Sequence, residues 1–446
     1  MPRRVPSRAQ SRESQPAHAP DRGSVYATNR PATAPNSHPP GLYVLFFTEL
    51  WERYSFYSMM AILTLYMDER LGFAQATSAR VYGAYIAAVF FLPLVGGLLA
   101  DRWLGFYRAV IVGAVLMGIG QFVLGAPSLA AFFGGLTLLA CGTGMLKPNI
   151  STIVGNLYAD RPHLRDAGFN IFYMGINVGA FIAPISVAWL RAHYGWTVAF
   201  RSASVAMLVA LVIFVGFRDL IVGAAQRAPR DAALETPQAA ADARSRTLAL
   251  LVIFAIVVAF WIAFYQNGFA LTLWARDNTA TRLSPEIFQS VDPLGIILFS
   301  PLAVLLWAAL RRRRAEPTTI GKILIGMVLT ALSFVVMIAA GLVGGDTGRV
   351  SAAWLITSYL VIAAAEICLS PMGLSLVTRV APPRLRGTLM GAWFVATAIG
   401  GYLAGYLGVY WSRIPHSRFF LLVAAIAIVA AATLVVARRR LQANLR

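Results

Sequence analysis

A dozen apolar runs follow one another between residues 41 and 437, each close to the length needed to cross a bilayer. A spanning helix takes about 20 residues at 1.5 Å per residue, and in hydrocarbon only a helix or a closed barrel satisfies its own backbone. The chain is 58% hydrophobic and only 13% charged over 446 residues, which leaves too little polar surface for a water-soluble fold. The expected class is therefore an all-α integral membrane protein with twelve transmembrane helices. The spans fall near 41–67, 80–100, 107–126, 129–157, 167–191, 197–217, 247–274, 285–310, 320–344, 352–379, 387–410 and 417–437.

The substantial interruption is polar and Ala-rich, at 222–246, and it divides the spans six and six. The expected organisation is a disordered tail over 1–40, a six-helix bundle over 41–218, a linker over 219–246, a second bundle over 247–440 and a short tail over 441–446. Residues 1–40 are rich in Pro, Arg, Ser and Ala, a composition that cannot bury a core. The formal charge of +19 matters through its placement. Arginines gather in "MPRRVPSR", "DRWLGFYR", "DRPHLR", "RRRRAEP", "RVAPPRLR" and "ARRRLQANLR". With twelve spans these segments share one side with both termini, and the positive-inside bias makes that side cytoplasmic. Basic residues so arranged point to topology, not to nucleic-acid binding. Cys141 and Cys368 lie inside predicted helices, so no disulfide framework is implied.

The halves resemble one another. Pro93 precedes the loop that begins with Asp101 and Arg102, and Pro301 precedes Arg311 to Arg314; "LKPNIS" and "LSPMGLS" carry Pro148 and Pro371 deep in spans 4 and 10. Prolines at matching depth suit a duplicated carrier whose binding site lies where the repeats meet.

Charge inside the membrane is scarce and therefore informative. On span 1 the i, i+3, i+4 spacing puts Glu49, Glu52 and Arg53 on one face, which Tyr57 extends. Only two lysines occur against 36 arginines, and Lys147 is mid-helix in "GTGMLKPNIS" while Lys322 sits at the inner end of span 9. Asp292 and Glu366 complete the set. Ionisable groups at such depth mark function, although Asp292, near the outer end of span 8, has snorkelling to the interface as a rival reading. Arg53 and Lys147 supply positive charge from the first half and Glu366 negative charge from the second, an arrangement that fits a zwitterion. Its carboxylate would meet Arg53 and Lys147 and its ammonium Glu366, with Asn177, Gln266, Asn267 and Ser370 available to an amide between them. Glu49 and Glu52 remain as proton carriers beside Arg53.

"ELWER", "GGLLADRWLG", "GTGMLKPNIS", "FYMGINVGAFIAP", "VDPLGIILFSP" and "EICLSPMGLSLVTRVAPPRLRGTLMGAWF" occur in order through the membrane part. This set resembles the proton-dependent oligopeptide transporters (POT, PTR2) of the major facilitator superfamily. The resemblance implies two six-helix bundles and symport of di- and tripeptides with protons across the cytoplasmic inner membrane by alternating access, without a cofactor and by a monomer. Carried over, Glu49, Glu52 and Arg53 would be the proton-linked motif. Lys147, Arg53 and Tyr57 would face the peptide carboxylate, Asn177 the peptide backbone and Glu366 the amino terminus; Trp261, Ser370 and Trp393 would line side-chain pockets. Asp101 and Arg102 would serve as a gate latch, a role that rests on the resemblance more than on the physics.

The departures from the family pattern are specific. Phe56 and Phe90 stand where the family tends to have Tyr. Span 7 reads Tyr265-Gln266 where Glu-Gln is common, and span 8 has Asp292 where Asn precedes Pro. Asp292 is thus a candidate to replace the lost carboxylate as partner or proton site. The linker is too short for an inserted helix pair. Two rivals are a carrier for another small anion or drug, which has little use for Glu366, and a membrane sensor that binds peptides without moving them. An enzyme is disfavoured: His18, His38, His163 and His416 lie in predicted tails or loops and His193 at the outer end of span 5, with no metal cluster or nucleophile–base pair.

Overall fold

The computed structural model describes residues 37–161, 164–226, 237–381 and 386–444. Most of the expected tail, and part of the expected linker, lie outside these residues. The first half contains α1 (Gly41–Leu65), α2 (Gln75–Leu99), α3 (Gly105–Leu124), α4 (Leu129–Leu157), α5 (Arg165–Gly216) and a short α6 (Val222–Ala225). The second contains α7 (Pro237–Phe264), α8 (Ala270–Asp277), α9 (Val291–Arg312), α10 (Thr319–Val343), α11 (Ala352–Val380), α12 (Arg386–Gly408) and α13 (His416–Asn444).

Among the described residues, nine helical stretches are long and apolar enough to cross a membrane. Two of them, Gln75–Leu124 and Arg165–Gly216, run to 50 and 52 residues, far beyond one crossing. Each reverses at a glycine with positive φ, Gly105 at 71° and Gly195 at 79°, a conformation that L side chains rarely adopt. α1 is not among the nine because its charges lower its hydropathy, yet it is buried along most of its length. Counting each doubled stretch as a pair and adding α1 is consistent with the twelve spans expected.

Two boundaries differ from expectation. α7 begins at Pro237, inside the expected linker, and α13 runs on to Asn444, through most of the expected final tail. Span 7 is also not one helix. It breaks over Tyr265–Phe269, where the amide of Leu271 bonds the Gln266 carbonyl, and resumes as α8. A discontinuous membrane helix is tolerated where protein, not lipid, satisfies the freed backbone: the Gly268 carbonyl accepts from Thr64 Oγ1 at 2.6 Å and the Asn267 carbonyl from Tyr359 at 3.4 Å.

The helices pack within two groups, α1–α5 and α7–α13, which meet along α2–α12 and α5–α9. The α2–α12 crossing is closed to side chains: a Cβ on Gly83 would lie 2.8 Å from the Gly405 Cα. Small residues let the backbones touch, so dispersion replaces the hydrophobic drive that lipid does not supply. The end of the molecule away from the basic loops is stitched across the halves. Gln289 Nε2 donates to the Ala61 carbonyl at 3.3 Å and Ser290 Oγ to the Phe181 carbonyl at 2.8 Å. Arg191 of α5 holds Glu286 at 2.7 Å and reaches Glu69 at 3.5 Å, while Arg276 of α8 pairs with Asp68. At the basic end, the Arg311–Glu316 and Lys322–Glu316 pairs stay within the second group.

Candidate substrate and proton site

Glu49, Glu52 and Arg53 are each at most 2% exposed, so the polar face of α1 turns into the protein as the spacing predicts. Phe47, off that face, is 48% exposed and free to meet lipid. The Arg53 guanidinium forks onto both oxygens of Glu52 through Nε and Nη2, and Nε lies 3.6 Å from Glu49. Two arms of the fork that sequence reasoning assigns to a substrate carboxylate are thus held by Glu52 in this conformation. Glu49 Oε2 is buried with no hydrogen-bond partner among the described residues.

α4 brings Lys147 to the same place. Its Nζ sits 4.6 Å from the centroid of Phe90 on α2 and within electrostatic reach of Arg53, Glu49 and Glu52. The Phe90 ring lies 5.8 Å from Tyr265, which stacks on Trp261 at 5.7 Å. Where the family pattern has a span 7 acid, this chain therefore has an aromatic shelf, and the ammonium rests on π-density rather than on a carboxylate.

From the second half, α9 and α11 supply the acids. Asp292 is 5% exposed and lies in the first turn of α9, within electrostatic reach of Glu366. Snorkelling to the interface is thereby excluded. Tyr173 of α5 donates from its hydroxyl to Glu366 Oε1 at 3.4 Å, a contact between the halves that sequence reasoning missed. Its signal, a Tyr four residues before Asn177, acquires meaning only once α5 and α11 are known to meet. Asn177, itself buried, donates to the Tyr173 carbonyl at 3.0 Å and so braces that turn. Tyr57 is in electrostatic reach of Arg53 and Glu52 from its own half and of Glu366 and Asp292 from the other.

The remaining expected residues divide. Trp261 Nε1, Ser370 Oγ, Asn267 Oδ1, Asp292 Oδ1 and Glu366 Oε2 are buried without hydrogen-bond partners among the described residues. Buried polar atoms are nearly always paired, so each of these is an atom that a ligand or water would satisfy. Gln266 is fully buried and its Nε2 bonds the Ala404 and Ile262 carbonyls at 3.2 and 3.3 Å, tying the span 7 break to α12; only its Oε1 is unpartnered. Trp393 packs edge-on to Phe254 at 5.7 Å and covers Gly373. Asp101 and Arg102 are exposed on the π-helical turn Ala100–Leu104 and form no ion pair among the described residues. No group of His, Cys, Asp and Glu among these residues is arranged to hold a metal ion. His38 bonds Tyr158 at 2.8 Å, His193 the Trp189 carbonyl at 2.8 Å, and His416 stacks on Trp411 at 4.0 Å; His18 and His163 lie outside the described residues.

Two packed groups of membrane helices, with buried charges of both signs contributed by each group where they meet, are the arrangement of a membrane carrier of polar solutes. The chain belongs to the POT family, whose model matches residues 107–220 and 228–431. It is 34% identical to the peptide transporter YePEPT of Yersinia enterocolitica over 83% of this chain and 88% of that one. It is 30% identical to a di-/tripeptide transporter of Lactococcus lactis, covering 90% of this chain and 95% of that relative. The crystal structure of a peptide transporter POT in complex with sulfate superposes with a TM-score of 0.84 at 32% identity, over 92% of this chain and 96% of that chain. The major facilitator architecture expected from the motifs is thus the observed one.

Proposed function

We propose that this protein imports di- and tripeptides with protons across the cytoplasmic membrane by alternating access, with both termini inside and no enzymatic step. The burial of charges of both signs carries the reading, Arg53 with Glu52 from the first half and Asp292 with Glu366 from the second, with Tyr57 in electrostatic reach of both sets. Two relatives bear the names peptide transporter and di-/tripeptide transporter. A zwitterion laid past Tyr57 meets cations at one end and carboxylates at the other, and charge-assisted hydrogen bonds fix its direction.

The coupling follows from the Glu52–Arg53 fork. With Glu52 ionised the guanidinium is occupied; a proton on Glu52 frees it, together with Lys147, for the substrate carboxylate. Glu366 takes the substrate ammonium. Asp292, which stands in place of the missing span 7 acid, serves as a second carboxyl for a proton. Trp261, Ser370 and Trp393 border the side-chain space, Asn177 and Tyr173 brace the wall, and Gln266 holds the broken helix. The stitched end serves as the outer gate and Asp101 with Arg102 as the inner latch. The protein works as a monomer.

The test is uptake of alanyl-alanine by purified protein in liposomes with an acidic exterior. Wild type should concentrate the peptide, and Lys147→Ala and Glu366→Ala should each lower kcat/KM at least about tenfold, a loss of roughly 1.4 kcal/mol in transition-state terms. Binding without gradient-driven flux would favour a sensor instead.

A further inference from the structure

The acidic end of the site holds one carboxyl more than an amino terminus needs. α9 and α11 come into contact at Gly295, where a Cβ would lie 2.7 Å from the Ala363 Cβ. α9 and α11 both run toward the basic loops, so Asp292, three residues before that crossing on α9, and Glu366, three residues after it on α11, lie on opposite sides of the contact point, about 9 Å apart along the helix axes. The neighbours that sense Asp292 are Tyr57 from α1, Tyr173 from α5 and Tyr359 from α11, besides Glu366 itself. These are hydroxyls. No Arg or Lys among the described residues pairs with either acid, and Asp292 Oδ1 and Glu366 Oε2 are both buried without partners. The site's two cations are occupied elsewhere, Arg53 by Glu52 and Lys147 over Phe90 near Glu49.

One ammonium neutralises one carboxylate and leaves the other buried without a counter-charge, which is costly in a dry site. Two cations a few bonds apart relieve both. We propose that Asp292 and Glu366 together form a two-carboxylate pocket that selects peptides whose first residue carries a second cationic group, as an amino-terminal lysine or ornithine does. This rests on the peptide-carrier reading above and adds a preference among its substrates. The lysine side chain suits two carboxyls set apart along the helix axes because its ammonium rides a flexible four-carbon stem and can reach one acid while the α-ammonium meets the other. For a peptide with a neutral first residue, a proton takes the place of the second cation.

The experiment compares lysyl-alanine with alanyl-alanine in liposomes that hold the full chain, for wild type, Asp292→Asn and Asp292→Glu. The readout is the ratio of the two kcat/KM values, whatever the absolute rates. Wild type should favour lysyl-alanine about tenfold or more. Asp292→Asn should bring the ratio to within about twofold of unity, and Asp292→Glu should restore it. An unchanged ratio in Asp292→Asn overturns the pocket. A second measurement needs no variant: lysinamide should inhibit wild-type alanyl-alanine uptake at about a tenth of the concentration at which alaninamide does, and equal inhibition also overturns it. Wild type that moves neither peptide would instead fail the carrier reading itself.

Discussion

Arg53 is the residue on which most other charges depend. It is buried, forked onto Glu52 and 3.6 Å from Glu49, so removing Glu52 breaks the fork and leaves the buried guanidinium with Glu49 alone. Glu52→Ala is expected to lower stability by about 3–5 kcal/mol, whereas a paired Glu52→Gln, Arg53→Gln change should cost less than the two single changes together. Thermal unfolding of the detergent-solubilised proteins, arranged as a double-mutant cycle, measures this. A different carboxyl, Glu316 in the loop between α9 and α10, is held down to about 2 by hydrogen bonds from Arg311 and Lys322. Because its folded value is depressed below the ordinary value near 4.3, its contribution is present above that value and is lost only as pH falls toward about 2. Glu316→Gln should therefore leave the pH profile of uptake between about 5 and 7 unmoved, as flux assays across that range would record.

At the scale of elements, the discontinuity between α7 and α8 and the glycine-lined crossing of α2 with α12 govern how the halves touch. Gly405→Leu has no room against the Gly83 backbone and the Ala79 carbonyl, which a Cβ already approaches to 2.5 Å. Overpacking of this kind costs about 1–3 kcal/mol, so the variant should unfold at lower temperature and carry less flux, checked by thermal unfolding and uptake together. How far these elements are legible in the sequence depends on what each one rests on. α4 is found at its expected limits, and α1 shows its polar stripe, because hydropathy and the 3.6-residue period act locally. The break at Tyr265–Phe269 leaves little trace in hydropathy, since Gln266 and Asn267 find their partners on α11 and α12 and on the turn itself. The burial of Asp292 was open between interface and interior for the same reason: its depth is set by contact with α11, far away in the chain. Tyr173 went unnoticed because a tyrosine on a membrane helix gains a role only from the carboxyl that α11 brings to it.

For the whole molecule, the ion pairs at the end away from the basic loops tie the two halves together. Arg191 joins α5 to Glu286, which is fully buried, and Arg276 joins α8 to Asp68. Both pairs link first-half to second-half residues, so they exist only while that end is shut. Weakening them shifts the population toward the opposite state, with each 1.4 kcal/mol changing the ratio about tenfold. Glu286→Gln is expected to raise the rate at which an impermeant thiol reagent modifies Ala61→Cys from outside, by about tenfold relative to Ala61→Cys alone. An unchanged rate would mean that the hydrogen bonds of Gln289 and Ser290 suffice to keep the end closed.

The scarcity of lysine gives the site a built-in reporter. Of the chain's two lysine side chains, Lys322 is engaged by Glu316 over Trp307, whereas Lys147 rests on Phe90 with no carboxylate bonded to it. An amine-selective reagent small enough to reach it would therefore report this site at one known atom, told apart from Lys322 and the chain's α-amine by peptide mapping. Its rate of attachment would follow occupancy and opening in the unmodified molecule, with no cysteine to engineer and no fluorophore to attach.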